Sequence, residues 1–261
     1  MRTEKDPVTE AQNPLTPAAV EMTTFTANLA TPERALAIGA HPDDIDFGCG
    51  ATLAKWAADG CEVHVCVCTD GSKGTWDPDA DTGELIATRQ DEQRAAAAAL
   101  GATGEVVFLG WPDGELESGM IQRRQVAEVI RRTRPSVVLG HDPWKRYRLH
   151  PDHRHAGLLT TDGIVAARDP KFFPDLPPHH RPDLLLLFEA DEPDHAEDVG
   201  GFLDAKYRAL TSHRSQFEST MKSGDDPELT RFRQRVEDKL VTAGQAVDME
   251  LAEVFKLIDD L

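Results

Sequence analysis

Positive charge is scarce in this chain: 28 lysines and arginines stand against 46 aspartates and glutamates, a formal net charge of −18 over 261 residues. Such a surface repels phosphate backbones and anionic lipid headgroups, which argues against nucleic acid and membranes as partners. Cysteine is scarce too. Cys49, Cys61, Cys66 and Cys68 include no C-x-x-C pair, and in "VCVC" Cys66 and Cys68 fall on one strand face as small packed hydrophobes. This spacing argues against a zinc ribbon or a disulfide framework, and a reducing compartment is expected. No run reaches the roughly 18 apolar residues of a membrane span. The opening "MRTEKDPVTEAQNPLTPAAVEMTT" lacks the apolar centre of a secretion signal. A cytoplasmic protein is expected.

What is present is an alternation. Residues 1–32 are polar, rich in proline and threonine and without periodicity, which predicts an arm, followed by a single domain over 33–261. In that domain "RALAIGA" (34–40), "EVHVCVCT" (62–69), "EVVFLG" (105–110), "SVVLG" (136–140) and "DLLLLFEA" (183–190) read as buried strands. Helical patterns separate them, and further helical segments are expected around 199–215 and 227–259. The fold class is therefore α/β: a doubly wound, mostly parallel, Rossmann-like sheet with helices on both faces. In the common strand order 3-2-1-4-5, strands one and four are neighbours, and ligands bind at their carboxyl ends.

The chain carries His-Pro-Asp twice, as "HPDD" (41–44) directly after the first strand and as "HPDH" (150–153) in the loop after the fourth. The expected topology brings both to one crevice. Pro42 stiffens its turn, so that His41 and Asp44 are presented to one point. With His153 they form a two-histidine, one-carboxylate set that suits zinc and leaves a position for water, the pattern of hydrolytic sites. Asp43 adjoins the set without being needed as a ligand, which places it as general base for the metal-bound water. His150 is placed to stabilise an oxyanion or to protonate a leaving amine. Asp152 is placed to fix the ring of one of the histidines.

The stretches "AHPDD", "TDGSKG", "RQDEQRAAAAALG", "FLGWPDGEL", "HPDH" and "KYRALTSHRSQF" together resemble the PIG-L/LmbE family of zinc-dependent deacetylases, over residues 34–217. The resemblance implies hydrolytic removal of an acetyl group from an N-acetylated amino sugar or its conjugate, one zinc (or iron) ion per chain, and a homo-oligomer. Carried onto this sequence, it puts the metal on His41, Asp44 and His153, the base on Asp43 and the oxyanion-stabilising histidine on His150. Sugar-hydroxyl contacts fall on Arg89 and Asp113. Mycothiol-type members have a tyrosine two residues before the second motif. Here Arg148 stands there, beside Tyr147, and a cation at that point would polarise an acyl oxygen. Cleavage of a mycothiol-like S-conjugate by an amidase is the neighbouring activity that the resemblance leaves open.

Other readings are weaker. Gly48-Cys49-Gly50 opens a dinucleotide-binding pattern, but its third glycine position is Leu53, and Asp43 and Asp44 would repel a pyrophosphate. The HPD of a chaperone J-domain sits between two helices with basic flanks, whereas this one follows a strand in an acidic chain. A scaffold that merely held a metal would have no use for Asp43 and His150. Of the other histidines, His64, His179, His180 and His195 are expected to be structural or solvated, while His141, at the end of the fourth strand, and His155, in the first turn of the following helix, are left open as residues that could lie behind the site. The sequence assigns no role to His213.

Overall fold

The computed structural model describes residues 25–222 and 226–261, so most of the expected N-terminal arm lies outside the described residues. After a two-residue strand β1 (Thr26–Ala27) come β2 (Arg34–Gly39), β3 (Glu62–Thr69), β4 (Val106–Trp111), β5 (Val137–His141) and β6 (Leu184–Phe188). These last five pair in parallel in the order β4-β3-β2-β5-β6, the winding expected from the sequence. Helices α1 (Asp44–Ala58), α2 (Thr82–Ala99), α3 (Met120–Thr133) and α4 (Pro151–Arg168) connect them, and α5 (Leu203–Ser212) and α6 (Asp226–Gln245) follow.

Successive side chains of a strand point to opposite faces, and both faces are covered here. Ala35 and Ala37 of β2 pack with Ile45 and Leu53 of α1 and Ala96 of α2, while Leu36 and Ile38 pack with Val126 of α3 and Leu159 of α4. Cys66 and Cys68 belong to the second layer, as small hydrophobes should. All four thiols are free and buried, and burial pushes those of Cys61 and Cys66 up to about 11 and about 12. Among the described residues no helix is long and apolar enough to cross a membrane.

Two elements differ from expectation. Residues 252–258, expected within a closing helix, form β8 (Ala252–Ile258), and His195, expected in an acidic turn, opens β7 (His195–Asp198). β8 runs antiparallel between β6 and β7, extending the sheet to β1-β7-β8-β6-β5-β2-β3-β4. In "LAEVFKLI" the charged Glu253 and Lys256 mimic the solvent face of a helix, but Glu253 is buried. His195 joins β1 to the sheet, with Nδ1 2.8 Å from Thr26 Oγ1 and Nε2 3.0 Å from Glu197 Oε1.

The burial of Glu253 has a cause in α1. That helix is broken at Cys49, whose φ of −146° and ψ of 17° are not helical, so backbone groups on both sides lose their helical partners. Lys206 of α5 donates to the Asp46 and Phe47 carbonyls at 2.8 and 2.7 Å. Glu253 accepts from the Ala51 and Thr52 N–H groups at 3.1 and 2.8 Å, and the two side chains pair at 2.7 Å. A Cβ on Gly48 would lie 2.5 Å from the Phe188 ring, so this glycine admits the core rather than a pyrophosphate. Glu253→Gln leaves the Lys206 ammonium buried without a counter-charge. Urea unfolding should show a loss of about 3–5 kcal/mol.

Candidate active site

Both His-Pro-Asp stretches lie at the carboxyl ends of β2 and β5, neighbours in the sheet. In the first, Asp43 has φ +106° and ψ −31°, a conformation costly for any side chain. In the second, His150 caps α4 and Pro151 takes its first turn, where the missing N–H costs nothing.

Three predicted ligands converge. His41 Nδ1 lies 3.3 Å from Asp44 Oδ2 and 3.2 Å from His153 Nε2, and His153 Nε2 lies 3.2 Å from Asp44 Oδ1. Donors about 2.0–2.1 Å from a tetrahedral zinc are separated by about 3.3 Å, so the donor set fits such an ion. The far side of His41 supports the same assignment. Its Nε2 lies 3.1 Å from Asp152 Oδ2 and 3.2 Å from Asp113 Oδ1. Asp152 is fully buried and also accepts the Gly114 and Leu116 N–H groups, at 2.6 and 3.2 Å. A proton on Nε2 satisfies these carboxylates and leaves the Nδ1 lone pair free for a metal. Burial disfavours the His41 imidazolium, yet Asp113, Asp152 and Asp44 outweigh it and hold its pKa well above the ordinary value, so binding a cation at Nδ1 displaces a proton. Asp44 is lowered despite its burial, because His153 and His141 face it.

Asp43 is held from below by a chain of buried groups. Its N–H donates to Gln93 Oε1 at 2.9 Å, Gln93 Nε2 donates to Asp46 Oδ2 at 3.0 Å, and His213 Nε2 meets the same oxygen at 2.9 Å. Burial pushes the Asp43 carboxyl up to about 6; Arg89 opposes the rise and Asp44 adds to it. Arg89 donates to the Pro42 and Gly71 carbonyls at 2.6 and 2.9 Å, with Nη2 3.7 Å from Asp43. The glycines of "TDGSKG" make room for it, since a Cβ on Gly74 would lie 2.1 Å from its Nη1. The "KYRALTSHRSQF" segment is absorbed in the same framework: Lys206 at the α1 break, His213 on Asp46, Ser215 on Glu92 and Gln216 on the Gly74 carbonyl.

A cleft of about 500 Å³ opens over the cluster, reached by His41, Asp43, Asp44, His150, Arg89 and Asp113 among others. The His150 ring stacks on His153 at 5.0 Å and meets His41 edge-on at 4.6 Å. Partial burial and the neighbouring His41 and His153 rings lower its pKa.

Arg148 requires a correction. It does not line the cleft, and its Nη1 lies behind the histidines, 2.7 Å from Glu189 Oε2 and 3.0 Å from His153 Nδ1. Its pairing with the half-buried Glu189 draws the guanidinium away from any acyl oxygen. Four further contributors were not among the sequence-assigned site residues: His141, with Nε2 3.2 Å from Asp44 Oδ2, and Glu189, Gln93 and Asp46. His141 closes β5 in the crevice, a positional signal. The other three have no motif of their own.

The sheet order and the crevice at its winding point define a Rossmann-like α/β protein with a candidate metal centre. A profile of the PIG-L family, described as GlcNAc-PI de-N-acetylase, matches residues 36–164. Diacetylchitobiose deacetylase of Thermococcus kodakarensis is 35% identical over 190 residues, covering 71% of this chain and 70% of that protein. A 1D-myo-inositol 2-acetamido-2-deoxy-alpha-D-glucopyranoside deacetylase of Rhodococcus erythropolis is 32% identical over 243 residues, covering 72% and 82%. The structure of N,N'-diacetylchitobiose deacetylase from Pyrococcus horikoshii superposes with a TM-score of 0.78 at 27% identity, covering 87% of this chain and 84% of that one. The chain belongs to the PIG-L family.

Proposed function

We propose that the protein is a metal-dependent N-deacetylase of N-acetylated amino sugars. The observation that carries this is the His41–Asp44–His153 triangle with the buried Asp43 beside it, under a cleft of about 500 Å³. His41, Asp44 and His153 would hold the ion, zinc or iron by their donor chemistry. When bound, it polarises the amide carbonyl and acidifies water. Asp43 takes the proton of the attacking water, and the strained turn held by Gln93 keeps its carboxylate aimed into the cleft. His150, at the open side, donates to the oxyanion of the tetrahedral intermediate. The C–N bond then breaks, the amine leaves with a proton, and acetate remains. Arg89 and Asp113 line the wall that meets the sugar hydroxyls.

Diacetylchitobiose and the N-acetylglucosaminyl-inositol compound deacetylated by the relatives are the first substrates to test. With zinc supplied, free amine and acetate should appear in equal amounts. Intact amide after prolonged incubation with both compounds, at full metal occupancy, would sink the assignment.

A further inference from the structure

A second cavity of about 150 Å³ opens from the cleft, and Phe47, Glu189 and Lys239 line both. It lies between α6 and the ends of β6 and β8, with walls formed by Val236, Leu240, Ala243, Ala252 and Val254. Of its charged lining, Lys206 and Glu253 bond each other and the broken α1 backbone, the half-buried Glu189 bonds Arg148, and Lys239 is exposed at the rim shared with the cleft. No free buried donor or acceptor therefore remains for a sugar hydroxyl among these groups, and hydroxyls placed there would lose their hydrogen bonds to water. An apolar cavity of this size takes a group about as large as benzene.

The sheet fixes which end of a substrate faces this cavity. The metal-ligand cluster lies at the ends of β2 and β5 in the middle of the order β1-β7-β8-β6-β5-β2-β3-β4. The polar wall, with Lys73, Arg89, Asp113 and Gly114, comes from the segments following β3 and β4, on one side. The apolar cavity is on the other side, and it begins at Phe47, one helical turn beyond Asp44. An amide held at the cluster with its sugar on the polar wall directs its acyl group toward the apolar side.

We infer that this cavity is an acyl-chain subsite, and that the protein hydrolyses amino sugars carrying N-acyl chains of about four to six carbons in preference to N-acetyl. The inference rests on the proposed amidohydrolase reading. Water adds to the carbonyl carbon, the C–N bond breaks, and the products are the alkanoate and the free amine. The acetyl methyl group stops short of the cavity, whereas a longer chain enters it.

The test compares N-acetyl-, N-butanoyl- and N-hexanoylglucosamine with the zinc-loaded enzyme, read by free-amine release. Burying each methylene favours binding by a factor of about four, so kcat/KM for the hexanoyl compound should exceed that of the acetyl compound at least about tenfold. Ala243→Phe and Val254→Phe fill the cavity from opposite walls. Each should lower the hexanoyl-to-acetyl ratio about tenfold, whereas general damage to the fold would depress both substrates alike and leave the ratio in place. Acetyl cleavage equal to or faster than hexanoyl cleavage overturns the inference and leaves the deacetylase reading standing. A ratio that neither filled variant alters also overturns it. Cleavage of none of the three overturns the inference, and the deacetylase reading falls with it only if diacetylchitobiose and the inositol compound are also left intact.

Discussion

Asp43→Asn should give a protein that binds its metal, resists unfolding better than the parent, and turns over at least about a thousandfold more slowly. The activity loss follows because an amide cannot accept the proton of the attacking water. Metal content should persist, since the triangle of His41, Asp44 and His153 does not include Asp43. The gain in stability follows from linkage. Burial raises the Asp43 carboxyl from 3.8 to about 6, so between those values the folded state binds the proton more tightly than the unfolded chain. Stability from this group therefore falls as pH rises through that window, and above about pH 6 the full cost of a buried charge is present. Asparagine removes that cost, about 2–3 kcal/mol for a shift of this size. After chelation at pH 8 the variant should melt about 5–10 °C higher than the parent, and at pH 4 the difference should nearly vanish. A variant that melts lower at both pH values, or that keeps its activity, contradicts the placement of Asp43 as a buried base.

Asp44→Ala and His153→Ala should each reduce bound zinc to a small fraction of the parent's and abolish turnover, while His150→Ala keeps the metal and loses rate. This contrast separates the Nδ1 side of His41, where Asp44 and His153 lie with His141 behind them, from its Nε2 side. Acid and imidazole groups also gather around the other nitrogen of His41, where His150, Asp113 and Asp152 come within ligand distance of one another. Those two carboxylates, however, already accept backbone N–H groups, Asp152 from Gly114 and Leu116 and Asp113 from Lys73. They have less to offer a cation than Asp44 has. Metal analysis on the dialysed variants decides between the two: loss of zinc in His150→Ala with retention in His153→Ala would move the site to the Nε2 side. In the parent, a chelator should stop turnover and added zinc should restore it, because His41 is released from its proton again on rebinding.

How much was legible in the chain depended on whether a residue's partners were local. The five parallel strands were legible because a sheet buried on both faces writes continuous apolar runs, and β2, β3 and β5 are nearly free of charge. His41 and Asp44 were legible because three residues and one proline fix their relation. β8 was not, since Glu253 and Lys256 look solvated until Lys206 arrives from α5 to neutralise Glu253. Arg148 was misplaced for a similar reason: its spacing from His150 suggested a group in the cleft, but Glu189 draws it behind the histidines.

By itself the sequence determined the α/β class, the winding order and the two short motifs that supply the candidate metal and proton-handling groups, all of which follow from hydrophobic periodicity and short-range geometry. Only the tertiary structure decided that His41 presents Nδ1 inward, that Asp43 sits strained on a chain running through Gln93 to His213, and that an apolar cavity opens beside the cleft. Each of these depends on side chains brought together from distant parts of the chain, and a tautomer, a desolvated carboxyl and an empty volume are properties of the neighbours a fold supplies.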